Sequence, residues 1–403
     1  MSNSDFSTPV LPLRRNVMKA SSAPLSGPYI LCQDDTLHVC TALMSLLVDR
    51  RTVDTFASVK PVSASTQHQT AVAIVGYDEP LTVLTEYPKP RITHPHEVII
   101  KNRSIGINPV DWKCHQFRFG IYHFPWINGR EGSGIVEEAG DEVREFEKGS
   151  KVFIVSTMYR DNRTSTFQEY VAMDSRLVWK LPEDIGFSQG AGIGVGLATA
   201  AVILLDSFNL SLAENSQHGK TLLIWGGATV VGLYLTQLAK YLGFKVIGIA
   251  SSQSHAYLEE LGAHSLIDRK LPLEKIMDRV LRTTTHVEFG VDCASKESTE
   301  KLVQILSAVN GRNLKAKYAS IVSSHEPPSD GVEKREVRIK RFHEDIDFGH
   351  QIVRETSKLF ETGKIKAVRT KVFRGGMRAV IDALNILKNK GAQAERYIVE
   401  LDN

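Results

Sequence analysis

The sequence predicts an α/β fold in which a barrel-like β domain precedes a parallel sheet that is covered by helices on both faces. Two changes in residue pattern along the chain indicate this. Between about residues 69 and 155, short β-branched runs alternate with turn residues, which is typical of a small barrel. After about residue 185, continuous apolar runs alternate with helical periods, which indicates a doubly wound parallel sheet. The 403 residues are 42% hydrophobic and 24% charged, so apolar side chains suffice for a folded core.

Charge and cysteine content narrow the class of protein. Lys and Arg (49 residues) exceed Asp and Glu (46 residues) by three, and so small a surplus predicts no nucleic-acid partner. The spacing of the four cysteines matches no common zinc or redox motif; they are Cys32, Cys40, Cys114 and Cys293. Unpaired thiols are typical of a reducing compartment, where disulfides are rare.

The sequence predicts no membrane or secretory element. Residues 1–10 are polar and lack the basic region and apolar core of a signal peptide. The apolar run at 42–48 is too short to cross a bilayer. We therefore expect a cytoplasmic protein that does not bind membranes.

The first 66 residues are predicted to be a disordered N-terminal tail. They are rich in Ser, Thr and Pro, and only residues 37–51 have the apolar spacing of a helix. An isolated helix of that length is marginal in water.

Strands and helices are predicted in order along the rest of the chain. In the barrel-like region, β-branched and apolar runs predict strands at 71–75, 81–84, 97–101, 134–138 and 151–155. A helix at 190–205, rich in Gly and Ala, opens the parallel-sheet region. Strands then follow at 221–225, 245–250, 265–268 and 289–293, with a helix at 231–242 where apolar residues recur at steps of three and four.

A glycine-rich turn joins the strand at 221–225 to the next helix. It comprises Gly226, Gly227, Ala228, Thr229, Val230, Val231 and Gly232. Small residues here let backbone N–H groups approach a pyrophosphate at the helix N-terminus, and Gly232 would let the helix pack closely on the strand. Thr229 stands where the usual fingerprint has its middle glycine. The turn predicts a dinucleotide site, with a tight turn that binds no ligand as the alternative.

The end of the next strand bears on the choice between NAD and NADP. NAD-binding folds place a carboxylate about 20 residues beyond the glycine turn, where it binds the ribose 2′-hydroxyl. Here hydroxyl side chains take its place, namely Ser251, Ser252 and Ser254. Hydroxyls can donate to a 2′-phosphate, so NADP is the predicted cofactor, with Arg269 as a further phosphate ligand. The alternatives are that the serines only cap the next helix and that Arg269 is a solvated side chain.

Five motifs in register resemble the signatures of one enzyme family. They are INPVDWK at 107–113, GREGSGIV at 129–136, FQEYV at 167–171, GLATA at 196–200 and the glycine turn. Across residues 69–403 the chain resembles the medium-chain dehydrogenase/reductase superfamily. Within it, the chain is similar to zinc-independent fungal quinone oxidoreductases and trans-acting enoyl reductases of polyketide pathways.

The resemblance implies a GroES-like β-barrel domain and a Rossmann domain with a doubly wound parallel sheet. After the tail at 1–66, the implied divisions are a GroES-like substrate domain at 67–195 and a Rossmann NADP-binding domain at 196–345. A C-terminal segment at 346–403 would then return to the substrate domain. Its last strand is expected at 397–401.

Departures from the zinc-dependent members of that superfamily predict that no metal is bound. Those members have a cysteine where this chain has Asn108 and a histidine where it has Arg130. Arginine cannot deprotonate to bind zinc, and an amide is a poor zinc ligand. The four-cysteine structural lobe is also missing, since no cysteine lies between Cys114 and Cys293. Glu131 is retained, and we expect it to form a structural ion pair with Arg130.

Without a metal to polarise a carbonyl oxygen, conjugate reduction is the chemistry that the resemblance favours. Hydride would leave NADPH for the β-carbon of an enone, an enoyl thioester or a quinone, and the enolate oxygen would need hydrogen-bond donors. The candidate catalytic residues are Lys113, Asn108 and Tyr159. The resemblance also implies cofactor contacts from Val110, Asp111, Lys113 and Thr199. The alternative roles are a solvated lysine at 113, a helix cap at 111 and a pocket-lining ring at 159.

The predicted function is NADPH-dependent, zinc-independent reduction of an activated double bond or quinone, in fungal secondary metabolism. The alternatives are a non-catalytic NADPH-binding regulatory protein and an alcohol or aldehyde dehydrogenase-like enzyme of the same superfamily. An apolar wall at 124–126 would suit a small hydrophobic or aromatic substrate. A polyketide synthase is a candidate partner, and both a monomer and a homodimer remain open. Acidic residues interrupt the basic stretch at 334–343, so we expect an exposed, solvated segment there.

Overall fold

Three sheets form the framework of the computed structural model, which describes residues 67–311, 314–322, 331–392 and 394–402. The predicted tail at 1–66 lies outside the described residues. The first part of the chain contains β1 (His68–Ile74), β2 (Thr82–Pro88), β3 (Glu97–Gly106), α1 (Pro109–Gln116), β4 (Trp126–Ile127), β5 (Glu131–Ala139), β6 (Lys151–Val155), β7 (Tyr170–Asp174) and β8 (Val178–Lys180).

Strand β3 is the centre of the larger sheet in this part. It pairs antiparallel with β5 and β7, and the sheet continues from β5 to β6 and β8. A small sheet has the order β2–β1–β4. All five strands predicted in this region are confirmed, although β1 begins earlier and β2 ends later than predicted. Strands β3 and β5 also extend further, because polar residues lie in the buried middle of the sheet. The short strands β4, β7 and β8 carry no alternating pattern long enough to predict them.

The second part of the chain supplies a parallel sheet and its covering helices. It contains α2 (Phe187–Gly190), α3 (Gly194–Val202), β9 (Thr221–Trp225), α4 (Val230–Tyr241), β10 (Lys245–Ala250), α5 (His255–Leu261), β11 (Ser265–Asp268), α6 (Leu273–Thr283), β12 (Phe289–Asp292), α7 (Lys296–Asn310), β13 (Ala316–Ser320), β14 (Val332–Arg335) and α8 (Arg341–Glu344). The predicted strands at 221–225, 245–250 and 265–268 have the predicted bounds.

The strand order of the parallel sheet creates a crevice. The six strands lie in the order β11–β10–β9–β12–β13–β14, and every neighbouring pair is parallel. Strands β9, β10 and β11 therefore follow one another towards one edge of the sheet, and strands β12, β13 and β14 follow one another towards the other edge. In such sheets ligands bind beyond the carboxyl ends of the strands at this switch point. The glycine turn follows β9 directly.

The chain then returns to the first sheet, as the resemblance implies. The returning elements are α9 (Ile346–Glu361), β15 (Thr370–Phe373), α10 (Arg378–Lys390) and β16 (Arg396–Glu400). Strand β16 lies between β15 and β3, with Ile398 opposite Gly106. The barrel-like region is thus completed by residues near position 400. The domain divisions at 195/196 and 345/346 remain predictions.

The helix predicted at 190–205 is present but interrupted. Helix α2 ends before it, and α3 continues into a π-helical turn at Ile203–Ser207. The stretch Phe187–Ser207 is long and apolar enough to cross a membrane, but 83% of its most apolar window is buried inside the protein. Its apolar side chains are therefore those of a core helix.

The prediction of an exposed, solvated segment at 334–343 is confirmed only for alternate residues, namely Lys334, Glu336, Arg338 and Lys340. Its beginning belongs to β14, which pairs with β13, and the side chain of Phe342 is fully buried. Two of its arginines are also paired, because Arg338 and Arg341 both bind Asp206. Charged residues here alternate with apolar residues that face the protein, so the number of charges does not indicate how much of the segment is exposed.

A stack of aromatic rings joins the seven-stranded sheet to helices α8 and α9, which follow the parallel sheet in the chain. Trp179 of β8 lies between Phe153 of β6 and Phe342 of α8, at ring-centroid distances of 5.2 and 5.4 Å. The indole Nε1 donates to Thr356 Oγ1 of α9 at 2.9 Å. Stacked, buried aromatic pairs stabilise beyond the area that they bury. The seven-stranded sheet and these helices are therefore held together by packed side chains.

Candidate functional site

A cavity of about 1070 Å³ lies between α1 and the switch point of the parallel sheet. One wall comes from α1 and from the residues at the ends of β5 and β6. The other comes from residues that follow β9, β12 and β13, and residues 334–339 close a third side. The cavity thus has the size and position of a ligand site in an open α/β sheet.

The glycine turn is shaped by two glycines and one threonine. Gly226 has a φ of +80°, a conformation that favours glycine. The Thr229 hydroxyl accepts the N–H of Gly232 at 3.1 Å and donates to the carbonyl of Gly226 at 2.8 Å. A Cβ on Gly232 would lie 2.5 Å from the Gly226 carbonyl oxygen and 2.6 Å from that of Gly227. Thr229, in the place of the middle glycine, is therefore the N-cap of α4.

The predicted phosphate residues gather at the same edge of the sheet. Ser251, Ser252 and Ser254 follow β10, and the backbone N–H of Arg269 donates to the carbonyl of Ala250 at 2.9 Å. Neither Ser251 nor Ser254 makes a side-chain capping hydrogen bond to the helical turn that it precedes. Arg269 is exposed. The hydroxyls are thus not committed to capping.

The structure divides the predicted site residues into two groups. Those that line the cavity are Asn108, Val110, Lys113, Tyr159, Thr199, Ala228, Thr229, Val230 and Val231. Those that do not are Asp111, Gly226, Gly227, Ser251, Ser252, Ser254 and Arg269. The second group lies beneath the cavity or along the sheet edge beside it.

The candidate catalytic side chains differ in exposure. Lys113 is exposed, and its Nζ lies 5.7 Å from the ring centroid of Trp112. The Tyr159 ring is within 4.5 Å of the Arg130 guanidinium carbon. Burial raises the pKa of Tyr159, although the positive charge of Arg130 opposes that rise. The Tyr159 hydroxyl therefore keeps its proton at neutral pH.

Glu131 does not pair with Arg130, contrary to the sequence-based expectation. Its Oε1 accepts Arg396 from β16 and the Asn108 amide, and its Oε2 accepts the Val195 N–H at 2.7 Å. Successive residues at the start of a strand point to opposite faces, so neighbours in sequence are poorly placed to pair. Glu131 instead ties α1, α3 and β16 together beneath the cavity.

Asp111 is a buried carboxyl at the base of the same wall. Its Oδ2 accepts the N–H of Asn108 at 2.8 Å, so it closes the first turn of α1. Burial raises its pKa from 3.8 to about 6, against the opposing influence of Arg130 and the Asn108 N–H. A raised carboxyl pKa means that the folded protein holds the proton more tightly than the unfolded chain does. Stability is then lost as pH rises from about 4 to 6 and is not recovered above.

We expect Asp111→Asn to stabilise the protein at neutral pH. The pKa rise from 3.8 to about 6 corresponds to a gain of roughly 2–3 kcal/mol at pH 7. The gain should shrink as pH falls towards 4 and vanish near pH 3, where the wild-type carboxyl is largely protonated in both states. Urea unfolding at pH 4, 5.5 and 7 measures it.

Asp174→Asn is the control for that experiment. Asp174 is also partly buried, but hydrogen bonds from Arg176 hold its pKa below the ordinary value. Its replacement should therefore destabilise the protein at pH 7, with the opposite pH trend. Equal and pH-independent effects of both substitutions would contradict the assignment of Asp111.

No group of three or more His, Cys, Asp or Glu side chains is arranged to hold a metal ion within the described ranges. Cys114 is buried under Arg130, and burial raises the pKa of its thiol to about 11. A protonated thiol is a poor metal ligand. The prediction that no zinc is bound stays a prediction.

The apolar wall expected at 124–126 does not face this cavity. Trp126 belongs to β4, is fully buried and packs against Tyr122 and His123. Pro125 lines a second cavity of about 880 Å³ beside β2. The apolar lining of the main cavity comes instead from Val155, Val195, Leu233, Val337, Ile339, Val368 and Leu387.

Several residues of the cavity could not be predicted from local motifs. Arg396 reaches it from β16, 265 residues after its partner Glu131, and no spacing rule connects the two. Residues 334–339 were assigned to solvent. For Cys293 a signal existed, because it ends a predicted strand, and the carboxyl ends of parallel strands meet at one edge.

Sequence comparison finds relatives for most of the described chain. Residues 94–183 match the alcohol dehydrogenase GroES-like domain family. A dehydrogenase of Monascus ruber is 30% identical over 254 residues, which cover 60% of this chain and 68% of that protein. A trans-enoyl reductase of Aspergillus japonicus is 26% identical over 318 residues, which cover 76% of this chain and 90% of that protein.

Structure comparison agrees on the fold. The crystal structure of a quinone oxidoreductase from Pseudomonas syringae superposes with a TM-score of 0.68 at 20% sequence identity, and the match covers 82% of this chain and 99% of that one. The predicted architecture, a GroES-like β-barrel domain with a Rossmann-type parallel sheet, is confirmed.

Proposed function

Because the chain belongs to the medium-chain dehydrogenase/reductase superfamily, we propose that it reduces an activated carbon–carbon double bond or a quinone with NADPH, without zinc. The cleft residues at the two metal-ligand positions carry this proposal. Asn108 and Arg130 stand there, beside a cavity that opens onto the glycine turn. The names of the relatives, a trans-enoyl reductase and a dehydrogenase, support the same class of reaction.

The residues of the cleft fit a dinucleotide. Val230 is the first residue of α4, and the N–H groups of Val230 and Val231 lack intrahelical acceptors and can receive a pyrophosphate, whereas that of Gly232 is bonded to the Thr229 hydroxyl. The close approach of Gly232 to the turn leaves no room for a side chain. We assign the pyrophosphate to residues 226–231 and the nicotinamide end to Val110, Lys113 and Thr199. NADPH, when bound, supplies a hydride.

The serines after β10 favour NADPH over NADH. Ser251, Ser252 and Ser254 offer hydroxyls that make no capping bonds, and Arg269 adds a positive charge at the same edge. The carboxylate at the end of β11, Asp268, accepts the N–H of Lys270 within its own turn. A 2′-phosphate would therefore meet donors from this chain.

The chain's own residues bind, orient and protonate the substrate. Lys113 extends from α1 into the cavity as a hydrogen-bond donor, and Asn108 holds the start of α1 against Glu131. Tyr159 keeps its phenolic proton through burial and can donate it within the cleft. The apolar side chains around them favour a small hydrophobic or aromatic substrate. A polyketide synthase is the partner we propose for a substrate carried as a thioester.

The deciding experiment is NADPH oxidation, followed by absorbance, with a panel of enones, enoyl thioesters, quinones, aldehydes and ketones. We expect turnover with conjugated substrates and little with saturated aldehydes. Oxidation of NADPH by saturated carbonyl compounds alone would favour the alcohol or aldehyde dehydrogenase alternative. Tight NADPH binding without turnover on any of them would favour the regulatory alternative.

We expect Ser252→Asp to weaken NADPH binding about tenfold or more, because a carboxylate would repel the 2′-phosphate across a few ångströms. NADH binding should change little. Cofactor fluorescence titration measures both dissociation constants.

Ser211→Asp is the matched control. Ser211 is exposed, lies in the loop before β9 and does not line the main cavity. The same charge change there should leave both cofactors unaffected. Equal weakening of NADPH and NADH by Ser252→Asp would refute the phosphate assignment.

A further inference from the structure

The guanidinium of Arg130 is a buried cation, and its nitrogens form no hydrogen bond to an oxygen of the described residues. Its side chain is 2% exposed and lines the main cavity. None of its three guanidinium nitrogens has a hydrogen-bond partner in the part of the chain that the structure describes. Buried polar groups are nearly always paired, and a guanidinium offers five N–H donors. Its polar neighbours are the Cys114 thiol, a weak acceptor, and the Asp111 carboxyl, so N–H donors of the guanidinium remain available to an acceptor from outside the chain.

The surroundings of Arg130 fix the guanidinium but do not satisfy it. Its carbonyl accepts the N–H of Ser156 at 2.7 Å, so its backbone is held between β5 and the end of β6. Its guanidinium carbon lies 4.5 Å from the centre of the Tyr159 ring. Asp111 attracts it electrostatically, yet Asp111 Oδ1 is itself without a hydrogen-bond partner. The two groups therefore do not form a bonded ion pair.

The carboxylate next to Arg130 in the sequence does not serve as its structural partner. Glu131, the adjacent carboxylate, is fully used by Arg396, Asn108 and Val195. Arg396 shows what a structural arginine in this wall looks like, because it is buried and forms an ion pair with Glu131. Arg130 shares the burial without the bonds.

We propose that Arg130 is the receptor for an anionic oxygen of the ligand in this cleft. This oxygen is the carbonyl oxygen of the conjugated substrate, an assignment that rests on the reaction proposed above. The β-carbon gains the hydride that the cofactor supplies, forming a C–H bond. The C=C pair shifts to the α-carbon–carbonyl bond, and the C=O π pair moves to oxygen, giving an enolate. Arg130 donates to that oxygen until a proton, given by Tyr159 and replaced from solvent, adds to the α-carbon and the carbonyl re-forms.

The negative charge that develops on the substrate oxygen explains why an arginine suits this position. Oxyanion donors accelerate a reaction when they are oriented before charge develops and lie in a site that excludes water. A planar guanidinium presents parallel N–H groups to one oxygen or carboxylate, and it stays charged at every working pH. NADPH becomes NADP⁺ and one proton is consumed, so the step balances without a metal.

The first test separates catalysis from stability. Arg130→Gln should lower kcat about 10²- to 10³-fold on the best conjugated substrate. Its thermal midpoint should not fall, because the guanidinium loses no hydrogen bonds, and NADPH affinity should be unchanged. Arg103→Gln is the matched control: Arg103 lies on β3, away from the cavity, and its Nε also lacks a partner. It should leave kcat unchanged.

The second test detects the receptor without turnover. Calorimetric titration of the NADP⁺-loaded protein with trans-cinnamate, an aromatic carboxylate, should give binding that weakens at least about tenfold in Arg130→Gln. Arg130→Lys, which keeps the charge but loses the planar donor pair, should be intermediate.

The outcomes of the two tests are distinct. The proposal that Arg130 is the receptor is overturned if wild type and Arg130→Gln bind cinnamate equally well. It is also overturned if wild type does not bind cinnamate. A lower thermal midpoint with unchanged cinnamate affinity shows a structural role and overturns it too. Arg130-dependent cinnamate binding by a wild type that reduces no conjugated substrate supports the receptor and refutes the proposed function.

Discussion

Replacing Glu131 by glutamine is expected to lower the free energy of unfolding by about 3–5 kcal/mol, the range for breaking a buried ion pair from one side. Glu131 is fully buried and its partner Arg396 is 4% exposed. The substitution leaves the Arg396 charge without a counter-ion. It also places an amide N–H where the Val195 N–H now finds an oxygen. Chemical denaturation monitored by circular dichroism measures the loss.

A double variant tests the cause of that loss. In Glu131→Gln combined with Arg396→Met, neither charge of this pair is left buried without its partner, so much of the lost stability should return. If Glu131→Gln alone costs less than about 1 kcal/mol, the pair behaves like a surface salt bridge and its proposed structural role is wrong.

Gly232→Ala is expected to cost about 1–3 kcal/mol of stability, the usual range for overpacking. The added Cβ would meet the carbonyl oxygens of Gly226 and Gly227 at 2.5 and 2.6 Å, and both are backbone atoms that cannot rotate away. Helix α4 must therefore move from the turn. A shift of that kind misplaces the cofactor, and turnover should fall about 10²-fold. Thermal unfolding and NADPH titration measure the two effects.

Gly186→Ala is the control for this change. Gly186 has a φ of −75°, and a Cβ there would approach nothing closer than the Gln189 Oε1 at 3.9 Å. Its replacement should leave stability and NADPH affinity nearly unchanged. If Gly232→Ala behaved in the same way, the close approach of helix and turn would have no role in cofactor binding.

The sequence pattern predicted those elements whose structure depends mainly on residues that are close together in the chain. Strands β9, β10 and β11 had the predicted bounds because each is a continuous apolar or β-branched run that ends at a change of composition. The glycine turn was predicted because the small residues that its close backbone approach requires are neighbours in the sequence. The partner of Glu131 was not predicted, because Arg396 comes from a strand brought beside it only by the complete fold.

Two further expectations, one wrong and one only partly correct, show the effect of side-chain placement. Residues 124–126 are apolar, as a pocket wall would be, but Trp126 turns into the core beside β1. Residues 334–343 are rich in charge, yet Arg338 and Arg341 are held by Asp206 from the end of α3. Composition gave the polarity of both segments correctly. It carried no information about which face of the chain meets the cavity.

The position of β16 has a consequence for how the protein is made. The strand occupies an inner place beside Ser104–Gly106 of β3, about 290 residues later in the chain. At 5–20 residues per second, a ribosome completes β16 roughly 15–60 s after β3. The parallel sheet, with its more local contacts, can form in that interval, whereas the barrel waits with one open edge and with Glu131 unneutralised. Nascent chains should therefore be most exposed to proteolysis and misassembly at β3, and slower translation should lengthen that exposure.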